Sequence, residues 1–158
     1  MSLKANIERC TSLDQPGWLE MRLALWPDAS PDDHRGYMAV SLAQPERFLQ
    51  LMMYDEKRVP IGFIEGSIRS DYVNGTETSP VGFVEGVYVI PSMRRKGIAR
   101  HLFAAIGDWA QARGCRELAS DALLENEASQ RAHRALGFRE TERVVYFTRK
   151  LGSDPPGL

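Results

Sequence analysis

Val81-Gly82-Phe83-Val84-Glu85-Gly86-Val87-Tyr88-Val89-Ile90-Pro91-Ser92-Met93-Arg94-Arg95-Lys96-Gly97-Ile98-Ala99-Arg100 is the stretch on which the reading turns. Residues 81–90 carry the strongest strand pattern in the chain, and Pro91 stops it. A cationic turn follows. Gly97 then opens a helix to residue 113, with Ile98, Leu102, Ala105, Ile106 and Trp109 on one face and Gly114 as its terminator. The first turn of a helix has unpaired N–H groups and the positive end of the dipole. Gly97 lets a phosphate approach the backbone, Ala99 is too small to block it, and Arg94, Arg95, Lys96 and Arg100 add positive charge. The segment is a candidate pyrophosphate cradle. It is neither a Walker A loop nor a GxGxxG dinucleotide turn.

The flanking chain reads as alternating elements. Residues 3–10 suggest a first strand. Residues 13–26 suggest a helix with Asp14 as N-cap and Leu19, Leu23 and Trp26 as its stripe, ended by Pro27. Ser30-Pro31-Asp32-Asp33 begins a second helix, reaching about Ala43. Residues 48–54 and 61–68 form a predicted hairpin about the polar turn 55–58. Residues 69–80 are a loop and 116–121 a short strand. Residues 126–136 are a helix closed by Gly137, and 138–150 are one bent or two short strands. Strand–helix–strand units beside hairpins imply an α/β (α+β) chain with a mixed sheet. The expectation is one domain, residues 1–151, with a flexible tail at 152–158.

Composition narrows the function classes. The 158 residues are 43% hydrophobic and 26% charged, an ordinary globular balance. With 20 Lys+Arg against 21 Asp+Glu the net charge is -1, so no global basic footprint for nucleic acid exists. No apolar run approaches the roughly 20 residues of a membrane span, and the N-terminus has no signal-peptide core. Cys10 and Cys115 are too few for a disulfide scaffold or an unaided zinc site. The expected setting is the cytoplasm, with reduced thiols and no metal.

Arg94-x-x-Gly97-x-Ala99 after a long strand resembles the acetyl-CoA-binding turn of the GNAT superfamily of N-acetyltransferases. Asn126-x-x-Ser129, then Ala132-His133-Arg134-Ala135-Leu136-Gly137-Phe138, resembles that family's Asn-containing helix ending in Leu-Gly-Phe. The resemblance implies a mixed, splayed sheet flanked by helices. Acetyl-CoA would lie where the strand ending near Ile90 parts from the strand ending near Asp121. The backbone of Val87, Tyr88 and Val89 would bond the pantetheine arm. Residues 94–100, including Ile98, would hold the pyrophosphate, and Asn126, Ser129 and His133 would belong to the cofactor side. Many members carry a tyrosine as general acid where His133 stands. His133, Tyr146 and solvent therefore all remain open as proton donors to the thiolate.

An amine acceptor is mostly protonated at neutral pH and must lose a proton before it attacks a thioester. Glu85 sits in an apolar strand. By alternation it shares a face with Val81, Phe83, Val87 and Val89. Such a carboxylate is paired with a neighbouring Arg or turned into a cleft, where it would suit a base. Asp121 ends a short strand, where open α/β sheets place ligands, or else caps a turn. The loop 69–80 mixes acids, an aromatic and small polar residues. Trp26-Pro27, Asp71-Tyr72-Val73-Asn74-Gly75, Ser79-Pro80, Glu85-Gly86, Ala119-Ser120-Asp121 and Glu140-Thr141-Glu142-Arg143 occur in that order. Together they resemble the chromosomal aminoglycoside 6'-N-acetyltransferases, over residues 18–150. By that resemblance Trp26, Tyr72, Glu85 and Asp121 line the acceptor site, Asp71 and Glu77 hold distal ammoniums, and the enzyme is a homodimer. Asp121, or Glu85 through water, would take the proton. An acetyltransferase for a polyamine or peptide amine, or a non-catalytic CoA-binding module, are the competing readings. From residue 70 to 90 every charge is negative, and from 91 to 100 every charge is positive, so near-neutrality hides an anionic and a cationic region.

Overall fold

Asp55 shows how the polar turns close. Its carboxylate accepts from the N–H groups of Lys57 at 2.8 Å and Val59 at 2.9 Å, and Arg58 takes a left-handed φ of 65°. The two strands so joined are β2, Phe48–Tyr54, and β3, Pro60–Arg69, an antiparallel pair as the sequence predicts. The structure is a computed structural model and describes residues 4–152. By compactness the described chain falls into two units, one reaching Ala122 and one beginning at Leu123.

The first unit is a mixed sheet with helices on both faces. Its strand order is β1-β2-β3-β4-β5, with β1 Asn6–Arg9, β4 Val81–Val89 and β5 Leu118–Ser120. All neighbours are antiparallel except β4 and β5, which run parallel. The observed sheet bears out the mixed α/β class. Residue 3 of the predicted first strand lies outside the described residues.

One face carries α1, Trp18–Leu25, and α2, Pro31–Leu42. Trp18, Met21, Met38, Met52, Tyr54 and Phe63 form the core there. Ser30 and Asp33 make the reciprocal capping box that starts α2. α1 begins later than the predicted residue 13, and Asp14 does not cap it. Gly17 sits at φ 82° with no room for a side chain, since a Cβ would lie 2.5 Å from the Pro60 ring. The helical path therefore starts only beyond Gly17. Its buried stripe is Trp18, Met21 and Arg22 rather than Leu19, Leu23 and Trp26.

The other face carries α3, Ile98–Ala112. Glycines in the sheet let it approach. A Cβ on Gly62 would come within 3.1 Å of Ile98, one on Gly66 within 3.0 Å of Ile106, and one on Gly82 within 2.7 Å of Ala110. Cys10 and Cys115 are buried and unpaired, and burial pushes both thiols up.

The second unit contains α4, Glu127–Ala135, with Asn126 as N-cap. The strands expected over 138–150 are absent: no regular structure is present there, and residues 139–150 are exposed. Strand patterning realises a strand only where a neighbouring strand supplies hydrogen bonds, so the local pattern does not suffice by itself. Gly152 lies in a turn, and the rest of the predicted tail is outside the described residues.

Candidate active site

β4 is irregular where the chemistry is expected. Opposite β3, Glu65 pairs with Gly86 but Gly66 pairs with Val84, so Glu85 is the extra residue of a β-bulge. The bulge reverses the alternation. Val81 lies opposite Arg69 and Phe83 opposite Ser67, on the α1/α2 face. Val87 lies opposite Ile64 and Val89 opposite Gly62, on the α3 face. Glu85 bonds the side chains of Ser67 and Arg69, so it shares the face of Val81 and Phe83. This corrects the expectation that it also shares the face of Val87 and Val89; unbroken alternation does not survive the inserted residue.

The parallel pairing ends at the same place. β4 pairs with β5 only over Gly82–Leu118, Phe83–Ala119 and Val84–Ser120. The strands do not pair beyond those couples, and the next residues are Glu85 and Asp121. Both candidate carboxylates therefore stand at the point where the strands part. Asp121 is exposed.

Glu85 is engaged rather than isolated. Arg69 Nη2 donates to its two oxygens at 2.9 and 3.0 Å, and the Ser67 hydroxyl donates to Oε1. The Arg69 guanidinium also lies 3.6 Å from the Phe83 ring centroid. Of the two sequence readings, the Arg-paired one is realised. The region expected to be wholly negative thus holds one counter-cation, because Arg69 stands just before it in sequence and opposite it in register.

Trp26 ends α1 and lies against β4 beside Glu85. A Cβ on Gly86 would sit 2.4 Å from the indole, so only glycine leaves the ring its place. Tyr72 is 74% exposed on the long loop, and Asp71 and Glu77 are exposed beside it. That loop is tied down twice. Val73 is buried against Val81, Phe83 and Ala119. Glu117, at the entry to β5, accepts from the N–H groups of Glu77 at 2.9 Å and Thr78 at 2.7 Å and from the Thr78 hydroxyl. These bonds, the hydroxyl first, hold the Glu117 carboxyl below its usual range. Trp26, Glu85 and the anchor of the Tyr72 loop are thus on one face of the sheet.

The cationic turn forms at the end of β4. A 3-10 turn, Pro91–Met93, follows Ile90. Arg94 Nε donates to Val89 O at 2.9 Å, and its guanidinium lies 5.5 Å from the Tyr88 ring. Arg95 takes a left-handed φ of 61° and Gly97 one of 83°. Gly97 is the N-cap of α3 and offers no side chain to the first N–H groups. Ile98, Ala99 and Arg100 thus begin the helix with uncapped donors, flanked by Arg95 and Lys96. That donor set fits a pyrophosphate.

In the second unit the Asn126 side chain accepts from Ser129 N at 3.0 Å. His133 Nδ1 lies 2.7 Å from Ser129 O and 3.3 Å from Ser129 Oγ, and its ring meets Phe138 edge-on at 5.4 Å. Tyr146 is exposed. Among the described residues no group of three His, Cys, Asp or Glu is placed to hold a metal, and no helix is long and apolar enough to cross a membrane.

Residues 8–138 match the acetyltransferase (GNAT) family. The chain belongs to that family. It is 50% identical over 135 residues to an aminoglycoside N(6')-acetyltransferase type 1 of Acinetobacter genomosp. 13, covering 85% of this chain and 91% of that one. Among solved structures it is similar to the aminoglycoside antibiotic 6'-N-acetyltransferase AAC(6')-Ih from Acinetobacter baumannii. That match has 46% identity and a TM-score of 0.87, covering 94% of this chain and 99% of the other. It is equally similar, at TM-score 0.87 and 40% identity over 92% and 98% of the two chains, to AAC(6')-Iy in complex with the bisubstrate analog CoA-S-monomethyl-acetylneamine.

Sequence reasoning did not single out Arg69, Glu117, Arg22, Glu65 or His34. Glu65 carried a signal, a lone carboxylate amid apolar strand residues like that of Glu85. The others carried none, because their partners are distant in sequence.

Proposed function

We propose that this protein is an acetyl-CoA-dependent N-acetyltransferase that acetylates the 6'-amine of aminoglycoside antibiotics by direct transfer and so confers resistance. The observation that carries the reading is the parting of β4 from β5 at the Glu85 bulge. It leaves two carboxylates at the mouth of a gap, with a cationic helix start on one face and an aromatic, acidic surface on the other. Relatives named as aminoglycoside N(6')-acetyltransferases support the substrate class.

Acetyl-CoA supplies the acetyl group as a thioester whose sulfur leaves. The chain's residues do the rest. The N–H groups of Ile98, Ala99 and Arg100, with Arg94, Arg95 and Lys96, hold the pyrophosphate. The backbone of Val87, Tyr88 and Val89 bonds the pantetheine arm, and N–H groups there polarise the thioester oxygen. Trp26 and Tyr72 pack on sugar rings, while Asp71 and Glu77 hold distal ammoniums. Glu85, already bound to Arg69, suits charge placement, and exposed Asp121 suits proton removal. The amine nitrogen bonds to the acetyl carbon as the carbon–sulfur bond breaks; Asp121 takes the amine proton. The departing thiolate takes up a proton in its turn. Both cysteines are buried, so neither stands ready as an acetyl carrier.

The same reading makes residues 1–151 one acetyltransferase domain, working in the cytoplasm as a homodimer. Exposed Val145, Tyr146, Phe147 and Leu151 support the dimer, since a run of large apolar side chains suits burial by a second copy.

The deciding experiment is thiol release from acetyl-CoA with kanamycin, with spermidine, and with neither. Release that depends on kanamycin and yields the 6'-acetyl product is expected. Release only with spermidine assigns another amine, and none with either leaves a CoA-binding module.

A further inference from the structure

Behind Trp26 lies a buried charged chain that acetyl transfer does not use. Arg22, Glu65 and His34 are 6%, 9% and 2% exposed. Arg22 pairs with both oxygens of Glu65, and Trp18 Nε1 donates to the same carboxylate at 2.7 Å. Arg22 Nε then donates to His34 Nδ1 at 3.2 Å. A guanidinium has no acceptor, so Nδ1 is the lone-pair nitrogen and the ring proton sits on Nε2. Nε2 lies 3.1 Å from the Trp26 carbonyl and donates to it. Hydrogen bonds thus run unbroken from β3 to the backbone of Trp26.

Trp26 needs that support. It is the C-cap of α1 at φ -125°, ψ 73°, and Pro27 prevents the helix from continuing. The other donor to its carbonyl is Ala29 N, at a long 3.5 Å. The indole is held by the same residues. The Arg22 guanidinium lies 4.7 Å from its centroid, the His34 ring stacks at 6.4 Å and 26°, and Phe63 meets it edge-on at 6.2 Å. Gly86 closes the remaining side. A buried ion pair gives little net stability over an apolar replacement, but it fixes geometry where every donor is matched.

We infer that His34, anchored through Arg22 and Glu65, is a positioning residue that fixes the orientation of Trp26 for the acceptor sugar, and so tunes aminoglycoside recognition without touching it. The inference rests on the reading of Trp26 as an acceptor-lining residue, so the experiment tests that reading separately. Steady-state kinetics are measured on the full chain with kanamycin and acetyl-CoA varied in turn. Trp26→Ala should raise the kanamycin KM. His34→Ala should raise it about tenfold, the scale of one lost buried hydrogen bond, with the acetyl-CoA KM nearly unchanged. His34→Gln, which restores an N–H donor near the Nε2 position, should recover most of the loss. His34→Asn, which keeps only an acceptor near Nδ1, should not. In a Trp26→Ala background His34→Ala should add nothing.

A kanamycin KM untouched by His34→Ala, an equal rise in both KM values, or full additivity with Trp26→Ala overturns the inference. If Trp26→Ala itself leaves the kanamycin KM unchanged, the reading of Trp26 fails and the inference falls with it. Should the Ala variant not fold, the Gln and Asn variants carry the test, and equal kanamycin KM values for the two overturn the inference.

Discussion

Asp121 and Glu85 differ in what surrounds them, and under the proposed function that difference would divide their roles. Glu85 has its oxygens occupied by Arg69 and Ser67, whereas Asp121 is exposed just beyond the last β4–β5 couple. A proton acceptor must be open to the incoming amine; a carboxylate already holding a guanidinium is better suited to set charge. Asp121→Ala should therefore lower kcat by about 10²–10⁴-fold, the usual worth of a general base, with the acetyl-CoA KM unchanged. Near-normal turnover of the variant would remove Asp121 from the mechanism. From sequence both residues were legible as candidates, because an acid in an apolar strand and an acid at a strand end are unusual placements. Their division of labour was not legible, since Arg69 meets Glu85 only through strand register.

At the scale of elements, the long loop 70–80 works only if it is held. Its clamp is Glu117 on Glu77 and Thr78, with Val73 beneath. The Glu117 carboxyl titrates lower in the folded chain than in the unfolded one, so its contribution is fully present above about pH 4.5. The contribution is lost as pH falls through the lowered folded value. Amide exchange in residues 76–78, corrected for its intrinsic pH dependence, should accelerate below about pH 4.5. Glu117→Gln should show that acceleration already at neutral pH. Equal protection in the two chains at neutral pH would show that Val73 alone holds the loop. Elements with local signals were read well. The Ser30 capping box, the Asp55 turn and the Gly97 start of α3 all depend on neighbours in sequence. The start of α1 was not legible, because Gly17 takes its left-handed φ where it packs closely on Pro60, far along the chain.

For the whole molecule, the net charge of -1 is a cancellation between regions rather than an absence of field. Under the proposed function Arg94, Arg95, Lys96 and Arg100 would serve an anionic ligand, and Asp71, Glu77 and Asp121 a polycationic one. Raising ionic strength should weaken both acetyl-CoA and kanamycin binding, measured by calorimetry between 50 and 500 mM salt, on the order of a Debye length of 14 to 4 Å. Kanamycin should retain a salt-independent part from packing on Trp26 and Tyr72, and salt-insensitive affinity for either ligand would count against its charged region. Sedimentation should give twice the chain mass. Phe147→Asp, at a side chain 92% exposed, should shift it toward the single-chain mass, and an unshifted dimer would place the interface elsewhere.

The sequence by itself determined the mixed α/β class, the cationic turn between β4 and α3, and the candidate carboxylates, because each depends on local pattern, capping chemistry or charge order. It also carried the family, through short motifs in a fixed order. Only the tertiary structure decided the bulge at Glu85, the face on which that carboxylate lies, its pairing with Arg69, the glycine contacts that seat Trp26 and α3, and the buried Arg22–Glu65–His34 chain. The physical reason is that one inserted residue inverts side-chain parity in a strand. Whether a residue is inserted is set by the register of the neighbouring strand rather than by the residues themselves.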